Sequence, residues 1–161
     1  MSETLVHAPV ITFARESWSG ETLSEVKQLL PMHWREMAQR QGDIPLDPNF
    51  VAYETLFKAG FATIFTARVD GKLVGYIIFI VTPRHMHYDH RWAKDDTIWI
   101  HPDHRNIGIA TGLFDCFEAD LKKDGPIVIQ IETREGHEAL ELLLKARNYE
   151  PTGKLFGLRV T

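Results

Sequence analysis

Apolar positions recur along the chain in two periods, near two and near 3.6 residues, and the switches between them outline the elements. Val10-Ile11-Thr12-Phe13 alternates and is β-prone, which predicts a first strand, and Ser17-Trp18-Ser19-Gly20 then supplies a turn with helix-capping residues. From Glu21 to about Arg40, Leu23, Val26, Leu29, Leu30, Trp34 and Met37 recur at helical steps, with Pro31 implying a kink or a break. Gly42 to Pro48 is a loop, and a second helix from Pro48 to Ala59 carries Val51, Tyr53, Leu56 and Phe57 and ends at Gly60. Two β-rich runs, Ala62–Val69 and Lys72–Val81, flank Asp70-Gly71, a strong hairpin signal.

The second half keeps the same grammar. Thr97-Ile98-Trp99-Ile100 reads as a strand that stops at His101, because Pro102 has no N–H to give a ladder. A helix follows from about Gly108, with Ile109, Leu113, Phe114 and Phe117 on one stripe, and closes near Lys122-Lys123-Asp124-Gly125. Ile127–Ile131 is a strand, His137–Arg147 a helix with Asn148 as a left-handed cap, and Leu155–Val160 a last strand. The order is β-α-α-β-β-β-α-β-α-β, an α/β (α+β) chain without internal repeat or linker.

Composition narrows the class without changing the outline. At 161 residues, 44% hydrophobic and 25% charged, the chain has the size and balance of one domain spanning residues 1–161, with its core at about 10–160. No apolar run approaches 18 residues and no basic-then-apolar start is present, so a cytoplasmic protein is expected, with no membrane partner. Cys116 is the one cysteine, which excludes an internal disulfide and a multi-cysteine metal site. A formal charge of −4 disfavours nucleic acid, including charged transfer RNA, and mildly favours a cationic partner.

The chemistry concentrates between Asp96 and Leu113. A strand, a turn and a helix starting inside a small-residue run bring free backbone N–H groups together, where the summed peptide dipoles add about half a positive charge. Gly108 and Ala110 let a diphosphate approach the main chain, and Arg105 adds a forked cation. A P-loop is excluded because Leu113 follows Gly112 where a lysine would be needed, and the glycine spacing does not fit the dinucleotide fingerprint. Close packing of helix on strand is the plainer use of the same glycines.

Arg105-Asn106-Ile107-Gly108-Ile109-Ala110 matches Arg/Gln-x-x-Gly-x-Gly/Ala, and so resembles the pyrophosphate loop of the GNAT superfamily of N-acetyltransferases. The resemblance extends over the element order from about Val10 to Val160. It implies a three-layer fold, with a central, mostly antiparallel mixed sheet of six to seven strands flanked by about four helices. It also implies acetyl-CoA as co-substrate, lying between the strand at Ile98–Ile100 and the strand at Ile127–Ile131. Main chain near Trp99, Ile100 and His101 would meet the pantetheine arm and thioester, and the amides from Ile107 to Thr111 the diphosphate. The acceptor would be a small-molecule amine or a protein amino group, attacking the thioester directly; a homodimer is compatible with the family.

An attacking amine must lose a proton, and Asp95 and Asp96 stand where the family often has its base. Alternation groups Asp96 with Ile98 and Ile100, and Asp95 with Thr97, Trp99 and His101, so Asp96 is the candidate to face the cleft. Five of the eight histidines lie between His85 and His104. Within Pro83–His90, His85, His87 or His90 could act as base or shape an acceptor pocket with Tyr88; His87 and Tyr88 stand as further catalytic candidates. His-x-His also suits a metal on a strand face, though no carboxylate or cysteine set accompanies it and no metal is assigned. Trp34, with Arg35 and Glu36, lies on the helix that would wall the acceptor side. The chain departs from the family at Leu144, where many members carry a tyrosine that protonates the leaving thiolate, and at Gly136-His137, where an asparagine is common. Tyr149, Tyr88 or water would then serve, or the chain would bind acyl-CoA with little turnover. A histidine-loop metal or interaction module on the same scaffold is the other alternative.

Overall fold

The computed structural model describes residues 7–37, 44–154 and 158. The chain divides into two compact units, residues 1–131 and 132–161. In the first, β1 (Ile11–Glu16), β2 (Ala62–Val69), β3 (Lys72–Thr82), β4 (Arg91–Ile100) and β5 (Ile127–Gln130) form one sheet in the order β1-β2-β3-β4-β5. The first three pairings are antiparallel and the β4–β5 pairing is parallel. Asp70 and Gly71, both with positive φ, make the β2–β3 hairpin turn as their sequence predicts.

Each face of the sheet is covered by the stripe the sequence announces. Helices α1 (Gly20–Met37) and α2 (Phe50–Lys58) lie on one face, where Val26, Ile64, Leu73, Tyr76, Ile78 and Trp99 are buried and Trp18, Leu29, Tyr53 and Phe57 pack against them. Helix α3 (Ile109–Lys122) covers the other: Phe117 meets Phe79 at 4.8 Å and Phe65 at 6.1 Å between ring centroids. This gives the three layers of an α+β fold. Among the described residues no helix is long and apolar enough to cross a membrane.

Three expectations are corrected in detail. Helix α1 passes through Pro31 unbroken; Pro31 and Lys27, the residue whose carbonyl loses its i+4 partner, are both exposed, so water can take that bond. Strand β4 begins at Arg91 rather than Thr97, because β5 pairs its first four residues and β3 pairs Trp92–Lys94 on the other edge, which holds a charged segment extended. The sheet has five strands among the described residues, not six to seven. The expected strand Leu155–Val160 falls almost wholly outside them.

The second unit contains α4 (Glu138–Ala146), which Asn148 terminates at φ +64° while the Tyr149 N–H donates to the Leu144 carbonyl at 3.0 Å. The left-handed cap read from the sequence is there.

Candidate active site

The site starts from a parting of strands. β4 pairs with β5 only from Arg91 to Lys94, and among the described residues no strand covers that edge from Asp95 to Ile100. The His101 N–H donates to the Val74 carbonyl of β3 at 2.7 Å. Antiparallel alternation therefore turns the main chain of Trp99 and His101 toward β3, and aims the N–H and C=O of Ile98 and Ile100 into the opening. Of the three residues expected to offer main chain there, Ile100 offers its N–H, its carbonyl being taken by Arg105 Nε, and Ile98 joins it; Trp99 contributes its ring to the opposite face.

A register shift between Ile78 and Phe79 sets Asp95 opposite Phe79 and Thr97 opposite Ile78, leaving Asp96 as the extra residue of a bulge. Strict alternation, the basis for grouping Asp96 with Ile98 and Ile100, fails at this point. Asp95 is buried, whereas Asp96 is exposed and accepts a hydrogen bond from the Tyr53 hydroxyl on α2. Burial and then that bond to Asp96 hold the Tyr53 phenol well above its ordinary titration range, so it remains the donor.

At the far end of β4 the chain turns through Pro102–His104, where His101 Nδ1 accepts from the Asp103 N–H at 3.3 Å, and enters the loop. Asn106 and Gly108 take φ of +65° and +86°, and Gly108 caps α3 without any side-chain bond. The first intrahelical bond of the region is Gly112 N–H to the Gly108 carbonyl at 3.0 Å, so the amides of Ile109, Ala110 and Thr111 have no helical acceptor. Ile109 is buried and anchors the turn, and Ile107 is exposed.

The glycines divide the two uses that the sequence left open. A Cβ built on Gly108 meets nothing within 4 Å, whereas one on Gly112 lies 2.1 Å from the Phe13 ring. Gly112 is the packing glycine. Gly108 leaves the open cradle that a diphosphate requires, so the chain's residues fit the donor that the loop pattern implies.

Arg105 is already engaged. Its Nε donates to the Ile100 carbonyl at 2.9 Å, and Nη2 meets Glu36 Oε2 of α1 at 2.6 Å; Trp99 Nε1 donates to the same oxygen at 3.3 Å. The side chain thus ties the end of β4 to the end of α1, and the cradle is left to main-chain amides.

Between that bridge and Asp96 lies a polar group the sequence reading missed. His33 is buried on α1 and stacked on Trp99, with Nδ1 2.9 Å from Tyr76 Oη and Nε2 3.2 Å from Thr97 Oγ1. Its signal was available: position 33 falls within the apolar stripe of Leu29, Leu30, Trp34 and Met37, where a polar residue stands out. Trp34 is half-buried beside it.

The histidine loop is elsewhere. It joins β3 to β4 at the start of β4, a ten-residue strand spanning roughly 30 Å from the phosphate-loop end. There His85 stacks on Tyr88 at 3.9 Å and lies 4.7 Å from Trp92, while His87 and His90 are exposed. His87 and Tyr88 are therefore not brought together with Asp96 and the loop amides. His-x-His here is a loop closed by His85 N–H to the His90 carbonyl rather than a strand face; among the described residues no group of three or more His, Cys, Asp or Glu is placed to hold a metal ion. Cys116 is half-buried on α3, and burial raises its thiol above the ordinary range, the signature of a packed residue.

An open strand edge running into an uncapped helix start is a nucleotide-thioester cleft in outline, and sequence comparison gives it a family. The chain matches the Acetyltransferase (GNAT) family over residues 26–149, which contains the cleft, the loop and the polar cluster; it belongs to that family. By that membership it is an acyltransferase. Among solved structures it is similar to a ribosomal-protein-alanine N-acetyltransferase from Brucella melitensis biovar Abortus 2308, at 25% identity and a TM-score of 0.72 over 94% of this chain and 99% of that one. An aminoglycoside acetyltransferase from an uncultured soil metagenomic sample shares the fold at 11% identity and a TM-score of 0.73, covering 94% and 95%. So does an aminoglycoside N-acetyltransferase in complex with CoA, at 17% identity and a TM-score of 0.63, covering 98% and 99%. No curated protein sequence matches the chain as a relative.

Proposed function

We propose that the protein transfers the acetyl group of acetyl-CoA to a primary amine, on a small molecule or as an exposed amino group, by direct attack within a ternary complex. The observation that carries this is the continuity of three parts along one strand and the loop that leaves it: the bulge at Asp96, the open edge at Ile98 and Ile100, and the helix start at Gly108. The amides of Ile109, Ala110 and Thr111 hold the diphosphate, and the Ile98 and Ile100 edge aligns the arm that carries the thioester. Asp96, fixed by Tyr53, attracts the acceptor ammonium; once that has lost a proton and attacks as the free amine, Asp96 takes, directly or through water, the further proton that the nitrogen sheds as the C–N bond forms. A thiolate of pKa near 8.5 leaves without needing a strong acid. The neighbours bracket the acceptor class, one acting on a protein alanine and others on aminoglycosides.

Calorimetric titration of acetyl-CoA into wild type, Gly108→Glu and Gly108→Asn tests the cradle. The asparagine tolerates the left-handed backbone and carries no charge, so it reports what an uncharged side chain does at this position with little of the strain of about 1–2 kcal/mol that the glutamate incurs. Wild type and Gly108→Asn should bind, and Gly108→Glu should lose binding by about a hundredfold or more, the scale on which one repelled charge replaces favourable anion contacts. Folded wild type that fails to bind would refute the reading. A thiol-release screen against amines then separates turnover from CoA binding alone, the alternative that Leu144 raises by standing where the family often has tyrosine.

A further inference from the structure

Thr97 and His33 have no part in the mechanism above, yet they adjoin its centre. Thr97 follows the bulge, three residues beyond the last β4–β5 pair at Lys94, and precedes Ile98, whose main chain faces the opening. Its hydroxyl lies on the face of the sheet that carries His33 and Tyr53, and the residue is half-buried. The hydrogen-bond chain behind it takes one direction when the His33 ring is neutral. Tyr76 is fully buried among Val26, Ile64, Leu73, Ile78 and Trp99, and burial keeps its phenol protonated. Among the described residues the one hydrogen bond to Tyr76 Oη is with His33 Nδ1. A buried O–H without an acceptor is costly, so Tyr76 donates to Nδ1. In the neutral ring the proton then sits on Nε2, which donates to Thr97 Oγ1 at 3.2 Å. The O–H of Thr97 is then free to donate away from the ring. Among the described residues it has no acceptor.

We propose that Thr97 donates a hydrogen bond to the acyl oxygen of acetyl-CoA as negative charge develops on it, with His33 and Tyr76 as positioning residues that aim the hydroxyl. The role rests on the acetyltransferase reading. It gives this chain a side-chain donor for the acyl oxygen from the α1 face, in addition to whatever the open main-chain edge supplies.

Three measurements test it. Thr97→Val keeps the shape and removes the donor; kcat should fall about 100- to 1000-fold, the range for loss of one such donor, with acetyl-CoA affinity within about twofold of wild type. Thr97→Ser should restore most of kcat. Tyr76→Phe frees the ring to change tautomer and should lower kcat in wild type but add nothing to Thr97→Val, since groups acting as one unit are not additive. Nitrogen NMR on histidine-labelled protein, with His33 assigned by His33→Gln, should show the proton on Nε2 in wild type. A ring protonated on Nδ1, or a Thr97→Val variant within about threefold of wild-type kcat, overturns the role of Thr97. Wild type that binds acetyl-CoA and releases no thiol with any amine overturns the transfer reading itself, a result distinct from an active Thr97→Val variant.

Discussion

Two glycines four positions apart carry different burdens, and no count of residues separates them. The pattern Arg105-x-x-Gly108-x-Ala110 was legible because the demand it meets is local: a left-handed turn, bare amides and a helix start all lie within six residues. The use of Gly112 was not, since the Phe13 ring that needs its missing Cβ comes from β1, about a hundred residues earlier. Nor was the partner of Arg105, because Glu36 is brought to it only when α1 crosses β4. The packing account predicts a cycle. Gly112→Ala should destabilise wild type by roughly 1–2 kcal/mol, as overpacking does. In a Phe13→Ala background the same change should become neutral or stabilising by up to about 1 kcal/mol, because alanine then contributes its helix propensity unopposed. Urea unfolding of the four proteins measures the coupling; additive effects would show that the ring yields freely.

At the scale of elements, the helices were read well where their apolar stripes were clean, and β4 was read short because its first half is charged. Strand propensity cannot see that Trp92–Lys94 is held by neighbours on both edges, nor that one extra residue at Asp96 resets the alternation. A second charged arrangement joins elements at the other edge of the sheet. Arg68 of β2 meets Glu16 of β1 through Nε at 2.7 Å and Glu25 of α1 through Nη2 at 2.7 Å, and donates to the Gly71 carbonyl in the hairpin turn at 2.8 Å. The Arg68 bond, seconded by the hydroxyls of Thr22 and Thr66, outweighs burial and holds the Glu16 carboxyl down to about 2 from its ordinary 4.5. A lowered carboxyl favours the folded state wherever it is ionised in both states. That contribution is complete above about pH 4.5 and disappears as pH falls toward 2. Glu16→Gln should therefore be less stable at pH 7, by about 1–2 kcal/mol once solvent screening is allowed for. Its stability should also decline less than that of wild type between pH 4.5 and 2, which thermal melts across that interval will show. Equal slopes would mean that the network does not favour the ionised carboxyl.

For the molecule as a whole, the order of elements was the most legible feature, because each hairpin and crossover is announced by its own turn residues. The position of the histidine loop was the least. His85, His87 and Tyr88 attract attention by composition, but topology sets them at the β3–β4 connection, and the cleft forms at the opposite end of β4 from that connection. The residues that do gather at the bulge, His33, Tyr53, Tyr76 and Thr97, come from two helices and two strands and look individually ordinary. Their significance arises from a sheet assembled from distant segments.

That assembly leaves the outward main-chain groups of Ile98 and the N–H of Ile100 on β4 without a strand partner among the described residues, an edge able to pair with an extended chain. A donor molecule whose arm bears amides would occupy those groups and act, while bound, as a removable strand. Ligand-free protein should then be the form that self-associates on warming, with light-scattering onset moved upward by acetyl-CoA and not by adenosine diphosphate alone. If both ligands protect equally, the phosphate cradle rather than the strand edge is the weak point. The same gap that admits the substrate is thus a hazard in its absence, and cells that keep this protein saturated with donor would also keep it dispersed.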